Sequence, residues 1–148
     1  MPRLSLLCSC ALAGMVLAGT GCRSSRDHTQ VPPTQSGLPE VTLQARSADA
    51  VKVVAAGFFA KRGYVETPSR HAYEMNFDKP TKGDRSGRAL RVRLRLHKQT
   101  ADTWRLVGAP LGVENWRSDL ESELLLPQGA SQIQGFLSEI KQRVEAGN

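Results

Sequence analysis

The chain has few of the residues that cross-link, ligate metals and catalyse. It carries 3 cysteines in 148 residues. These are Cys8, Cys10 and Cys22, and none follows. Everything beyond Cys22 therefore lacks the thiol pairs needed for an internal disulfide framework or a cysteine zinc site. The 3 histidines, His28, His71 and His97, are scattered, so no metal site and no cofactor are expected. There is no nucleophile elbow, no glycine-rich phosphate loop leading into a helix and no supported pair of catalytic carboxylates, so no catalytic residue is assigned. The stretch Gly83 to Gly87 reads as a hairpin loop. The apolar run from Leu4 through Leu17 falls short of the roughly 18 residues of a membrane span. Aromatic residues make up only 5%, which singles out the two tryptophans. Trp104 is expected in the core. Trp116 is expected either to close the core under a long loop or to act as an exposed docking anchor.

Charge is moderately one-sided. Lysine and arginine number 20 against 14 acidic residues, a formal +6. That excess favours anionic partners. It is too small to argue for nucleic acid, and no nucleic-acid partner is expected.

The N-terminus has the shape of an export signal. Arg3 is followed by an uncharged, mostly apolar stretch from Leu4 to Leu17, then by small residues. Leu17-Ala18-Gly19-Thr20-Gly21-Cys22 resembles a bacterial lipobox, with Gly19 where a leucine-like residue is commoner. The resemblance covers residues 1–22. It implies a signal peptide over 1–21 and acylation of Cys22, an exported thiol otherwise without a disulfide partner. Arg23, a residue other than Asp after the cysteine, implies by the same resemblance to proteobacterial lipoproteins the outer membrane, facing the periplasm. Val16-Leu17-Ala18 offers an ordinary signal-peptidase site as the competing reading.

Residues 22–38 are polar and contain Pro32-Pro33, which predicts a flexible tether. A single domain is expected over 39–148. Val41, Leu43 and Ala45 alternate as a strand. Ser47 caps a helix over Ala48 to Arg62, with Val51, Val54, Ala55, Phe58 and Phe59 on one stripe and Gly63 at its exit. Strands follow at Tyr64 to Thr67 and from Arg70 to Asp78, with His71, Tyr73, Met75 and Phe77 facing inward. Two more follow, Arg88 to Lys98 and a strand containing Trp104 and Leu106 that ends by Pro110. Residues 111–128 fit either a helix over Glu114 to Leu126 or an extended arm. Ser131 and Gln134 match a capping box, and Ile133, Phe136, Leu137, Ile140 and Val144 form the stripe of a final helix.

The predicted fold is α+β: one antiparallel sheet with two long helices on one face, in the order β-α-β-β-β-β-α. The layout resembles that of TATA-binding-protein-like folds, with a ferredoxin-like arrangement as the alternative. Neither layout carries function by itself.

The sharpest feature is RALRVRLRLHK. Leu90, Val92, Leu94 and Leu96 fall on one side of this strand, and Arg91, Arg93, Arg95 and His97 on the other. The leucines and valine are expected beneath the helices. The arginines are expected on an open face that no third layer covers, with Glu74 opposite Arg91 or Arg93, and Arg105 near Arg95. Arg91, Arg93, Arg95, His97 and Arg105 are the candidate anion- or partner-binding residues, because planar guanidiniums suit carboxylates and phosphates. The same stripe also reads as the solvated face of a half-covered sheet. The function expected is a non-enzymatic envelope module held to the membrane by its lipid, contacting an envelope protein or an anionic polymer. The alternative is a small envelope hydrolase with an unrecognised site.

Overall fold

The computed structural model describes residues 34–83 and 87–147. Cys22 and the segment 1–33 lie outside the described residues. The elements are β1 (Glu40–Gln44), α1 (Ala48–Ala60), β2 (Val65–Thr67), β3 (Glu74–Pro80), β4 (Ala89–Lys98), β5 (Thr103–Glu114), β6 (Ser122–Leu125) and α2 (Ala130–Ala146), with one 3-10 turn at Pro127–Gly129 before α2. All strand pairs are antiparallel, in the order β1-β5-β4-β3-β2, and β6 pairs the far half of β5. The sheet is open and both helices pack on one face. The second helix follows all the strands, which removes the ferredoxin-like alternative, where a helix divides them.

The core lies between the helices and one face of the sheet. Val51, Ala55, Phe58 and Phe59 of α1 and Ile133, Leu137, Ile140 and Val144 of α2 meet Leu43, Met75, Phe77, Val92, Leu94, Leu96, Trp104 and Leu106. Phe59 stacks on Phe77 with ring centroids 4.5 Å apart. Ser47 caps α1 as expected, its hydroxyl accepting from the Ala50 amide. Gly108 lies where α2 crosses β5. A Cβ there would come within 2.6 Å of Ile133 Cγ2, so the absent side chain sets how closely helix and sheet approach.

Several expectations are corrected. Ser131 is not the cap of α2: the helix begins at Ala130 behind Gly129, which makes no side-chain cap bond. Gln134 instead closes the edge of the sheet, accepting from the Glu40 amide and donating to the Glu40 carbonyl, both at 3.1 Å. Strand β5 does not end at Pro110. The Pro110 carbonyl accepts from Leu126, so its missing N–H points to that same edge side and not toward β4, where a proline is tolerated. Residues 111–128 hold no α-helix. They finish β5, turn, and return as β6. His71 and Tyr73 are exposed, in the turn before β3. Leu90 is 48% exposed because the helices do not reach that end of β4. Thr34 to Leu38, read from composition as the end of a tether, form a bonded turn. Glu40 accepts from the Ser36 hydroxyl and from the Gln35 and Ser36 amides, and Gln35 accepts from Arg105.

Candidate functional site: the arginine face and its cover

Alternation along β4 places Arg91, Arg93 and Arg95 opposite the core, as their spacing predicts. The register then fixes their neighbours: Asp78 pairs with Arg91, Asn76 with Arg93 and Glu74 with Arg95. This is displaced from the expectation of Glu74 opposite Arg91 or Arg93. The apolar face decides it, because Met75 must meet Leu94 and Phe77 must meet Val92.

The face is not open along its whole length. Arg91 is only 8% exposed. The segment between β5 and β6 folds back over it and supplies the third layer that the sequence did not reveal. The fold-back is held by polar bonds. Trp116 Nε1 donates to Asp78 at 2.7 Å, and Glu121 and Glu123 accept from Arg91 at 2.7 and 2.5 Å. Asn115 and Arg117 both take left-handed backbone conformations, φ 54° and 62°, a local cost at a non-glycine residue. The Arg117 guanidinium stacks on the Trp116 ring.

From Asp78 outward, acid and base alternate. Asp78 is fully buried and binds Arg91 through Nε and Nη2, both at 2.7 Å. Glu123 bridges Arg91 and Arg93. Arg93 also donates to Asn76, and Glu74 accepts from Arg95 at 2.8 Å. Burial pushes the Asp78 carboxyl up, but the bonds from Arg91, Trp116 and Thr67 outweigh it and hold its pKa below the usual range. Burial likewise opposes ionisation of Glu74, and the bonds from Arg95 and Ser69 with the charge of Arg93 overcome it. Glu123 is lowered in the same way, burial being outweighed by Arg91 and Arg93. The Asp78 bond raises the Arg91 pKa against the effect of burial, with Glu121 and Glu123 adding to it.

The alternation stops at Arg95. The next back-face position on β4 is His97, whose partner on β5 is Arg105. Arg95 pairs with Val107, so Arg105 is its diagonal neighbour. Among the described residues no carboxylate forms an ion pair with His97 or Arg105. Arg105 Nε is buried without a hydrogen-bond partner. Glu40 feels the Arg105 charge, but its oxygens are bonded first to Ser36, then to the Gln35 and Ser36 amides. The five candidate binding residues thus divide. Arg91, Arg93 and Arg95 each hold a carboxylate, whereas Arg105 holds none among the described residues and faces His97.

Beside Arg93 and Arg95 the face sinks into a cleft of about 950 Å³. One wall is the segment from β2 to β3, the other the segment from β5 to β6. Trp104 is buried, donating to the Ala45 carbonyl. Trp116 neither closes the main core nor stands free: it anchors the cover of the arginine face. No group of three or more metal-ligating side chains occurs among the described residues. No helix among them is long and apolar enough to cross a membrane.

A scan against protein-family models matches none, and the comparison with curated proteins finds no relative.

Proposed function

We propose that this protein is a lipid-anchored, non-enzymatic module of the cell envelope that docks an anionic group of its partner at Arg95, His97 and Arg105. The observation carrying this reading is the break in charge alternation. Arg91, Arg93 and Arg95 each hold a carboxylate, whereas Arg105, diagonal to Arg95 beyond the break, holds none among the described residues. The guanidiniums of Arg95 and Arg105, on diagonal positions of neighbouring strands, repel, and a bound carboxylate or phosphate would relieve this repulsion. Arg105 Nε is moreover without a hydrogen-bond partner in the fold. The anchor is acylated Cys22, at the outer membrane and facing the periplasm.

A small envelope hydrolase is the second reading. The cleft, which His71 also lines, gives it a place but no carboxyl with a raised pKa. Glu74 and Glu123, which line the cleft, and Asp78 beneath it are held ionised by their arginines, whereas a general acid near neutral pH needs a raised carboxyl.

Binding of the full chain to an oligoglutamate peptide, followed against salt, tests the docking reading. Arg95→Gln with Arg105→Gln should weaken binding and flatten its salt dependence. Equal binding by the double variant would refute the assignment. The mass of the mature protein tests the anchor: an unmodified cysteine thiol on a chain beginning at Gly19 would refute it.

A further inference from the structure

The cleft beside the docking cations differs from them in charge. It is lined by as many carboxylates as guanidiniums. Those of its floor already pair with one another. On the walls, Glu66 and Arg70 on one side and Arg117 and Asp119 on the other are exposed and have no ion pair among the described residues. Arg70 lies between β2 and β3, and Asp119 between β5 and β6. Asn76 lines the floor and uses its side-chain oxygen to accept from Arg93, while its amide nitrogen makes no hydrogen bond among the described residues.

A polymer bearing only negative charge gains Arg70, Arg117 and the open side of Arg95 in this cleft but meets Glu66 and Asp119, whose charges no ion pair among the described residues neutralises. Like charges brought together at short range cost affinity and select against the wrong partner. A polypeptide carries both signs along one chain, and its carbonyls match a neutral amide donor. Resting on the docking reading above, we propose that the cleft binds an extended polypeptide segment of mixed charge. An acidic side chain of that segment sits at Arg70 and Arg95, a basic one at Asp119, and a peptide carbonyl over Asn76. The partner is accordingly a protein and not an anionic polymer.

The test uses the full chain and two labelled peptides of equal length, oligoglutamate and alternating glutamate-lysine, with fluorescence anisotropy as the readout. The alternating peptide should bind about tenfold more tightly than oligoglutamate. Asp119→Asn should erase that preference and strengthen oligoglutamate binding, because it removes a repulsive charge. Arg70→Gln should weaken both peptides. If oligoglutamate binds as tightly as the alternating peptide, the mixed-charge proposal falls and docking of an anion stands. If Asp119→Asn keeps the preference, the peptide lies elsewhere and the proposal falls. If neither peptide binds, both readings fall.

Discussion

Asp78 and Arg91 form a two-bond pair in which the carboxylate is wholly buried and the guanidinium nearly so. They face each other across β3 and β4 on the side of the sheet away from the helices. Desolvating both charges costs several kcal/mol, and only a complete set of bonds offsets it. Here the set is complete: Asp78 also accepts from Trp116 and Thr67, and Arg91 also donates to Glu121 and Glu123.

Breaking this pair from one side should therefore be severe. Arg91→Ala leaves Asp78 charged and buried, and should cost about 3–5 kcal/mol. Arg95→Ala should cost about 1 kcal/mol or less, because Arg95 is half-exposed and makes one pair. Urea unfolding of the two variants checks this. Equal losses would mean that Arg91 has no special standing among the arginines of β4.

The same carboxylates set the response to acid. Asp78, Glu74 and Glu123 have pKa values below their unfolded values. The folded state binds its protons later than the unfolded state. Their contribution is fully present above the unfolded value, about 4, and is lost as pH falls through the lowered folded values. The urea midpoint should hold steady from about pH 7 to pH 5 as far as these groups are concerned, then fall steeply below about pH 4. Asp78→Asn should start less stable and show a shallower fall. A wild-type midpoint unchanged at about pH 3 would contradict the assigned directions.

What could be read from the sequence divides along the two faces of the sheet. The helix-side face was legible because apolar side chains repeat with fixed periods. Phe58 and Phe59 fall on the stripe of α1, Leu137 and Ile140 on that of α2, and Val92, Leu94 and Leu96 alternate on β4. The opposite face was only half legible. Alternation places Arg91 there, but its burial depends on Trp116, Glu121 and Glu123, which are 25 to 32 residues further along the chain and bear no periodic apolar signal. The available hint was the Glu121–Leu125 stretch, where two carboxylates two residues apart can face one line of arginines. Pro110 obscured it by suggesting that β5 ended early.

Gly108 gives a prediction on the legible side. A Cβ added there meets Ile133 Cγ2 at 2.6 Å, with Leu94 and Leu137 close behind. Gly108→Ala should cost about 1–3 kcal/mol by overpacking the crossing of α2 over β5. Ile133→Ala opens space at the same point, so the double variant should lose less than the sum of the single losses. Strict additivity in thermal or urea unfolding would show that the two sites do not share this contact.

Trp116 is the most direct probe of the cover. Its indole N–H reaches Asp78, while the ring carries the Arg117 guanidinium on its face. Trp116→Phe keeps an aromatic ring but removes the donor, leaving Asp78 one bond short. That should cost about 1–2 kcal/mol, the penalty for a buried acceptor deprived of one partner. Trp116→Ala should cost more, because the ring that seats the β5–β6 segment is lost and Glu121 and Glu123 are then less firmly held against Arg91 and Arg93. Both changes leave the core between helices and sheet intact. The near-ultraviolet signal of Trp104, bonded to Ala45 inside that core, should therefore persist in both variants. Amide exchange should separate the two layers. In Trp116→Ala, protection should fall along β6 and the second half of β5 while β3 and the first half of β5 keep theirs. Uniform loss of protection across the sheet would show that cover and core unfold as one unit. An unchanged β6 would show that the segment is held by something other than Trp116 and its bond to Asp78.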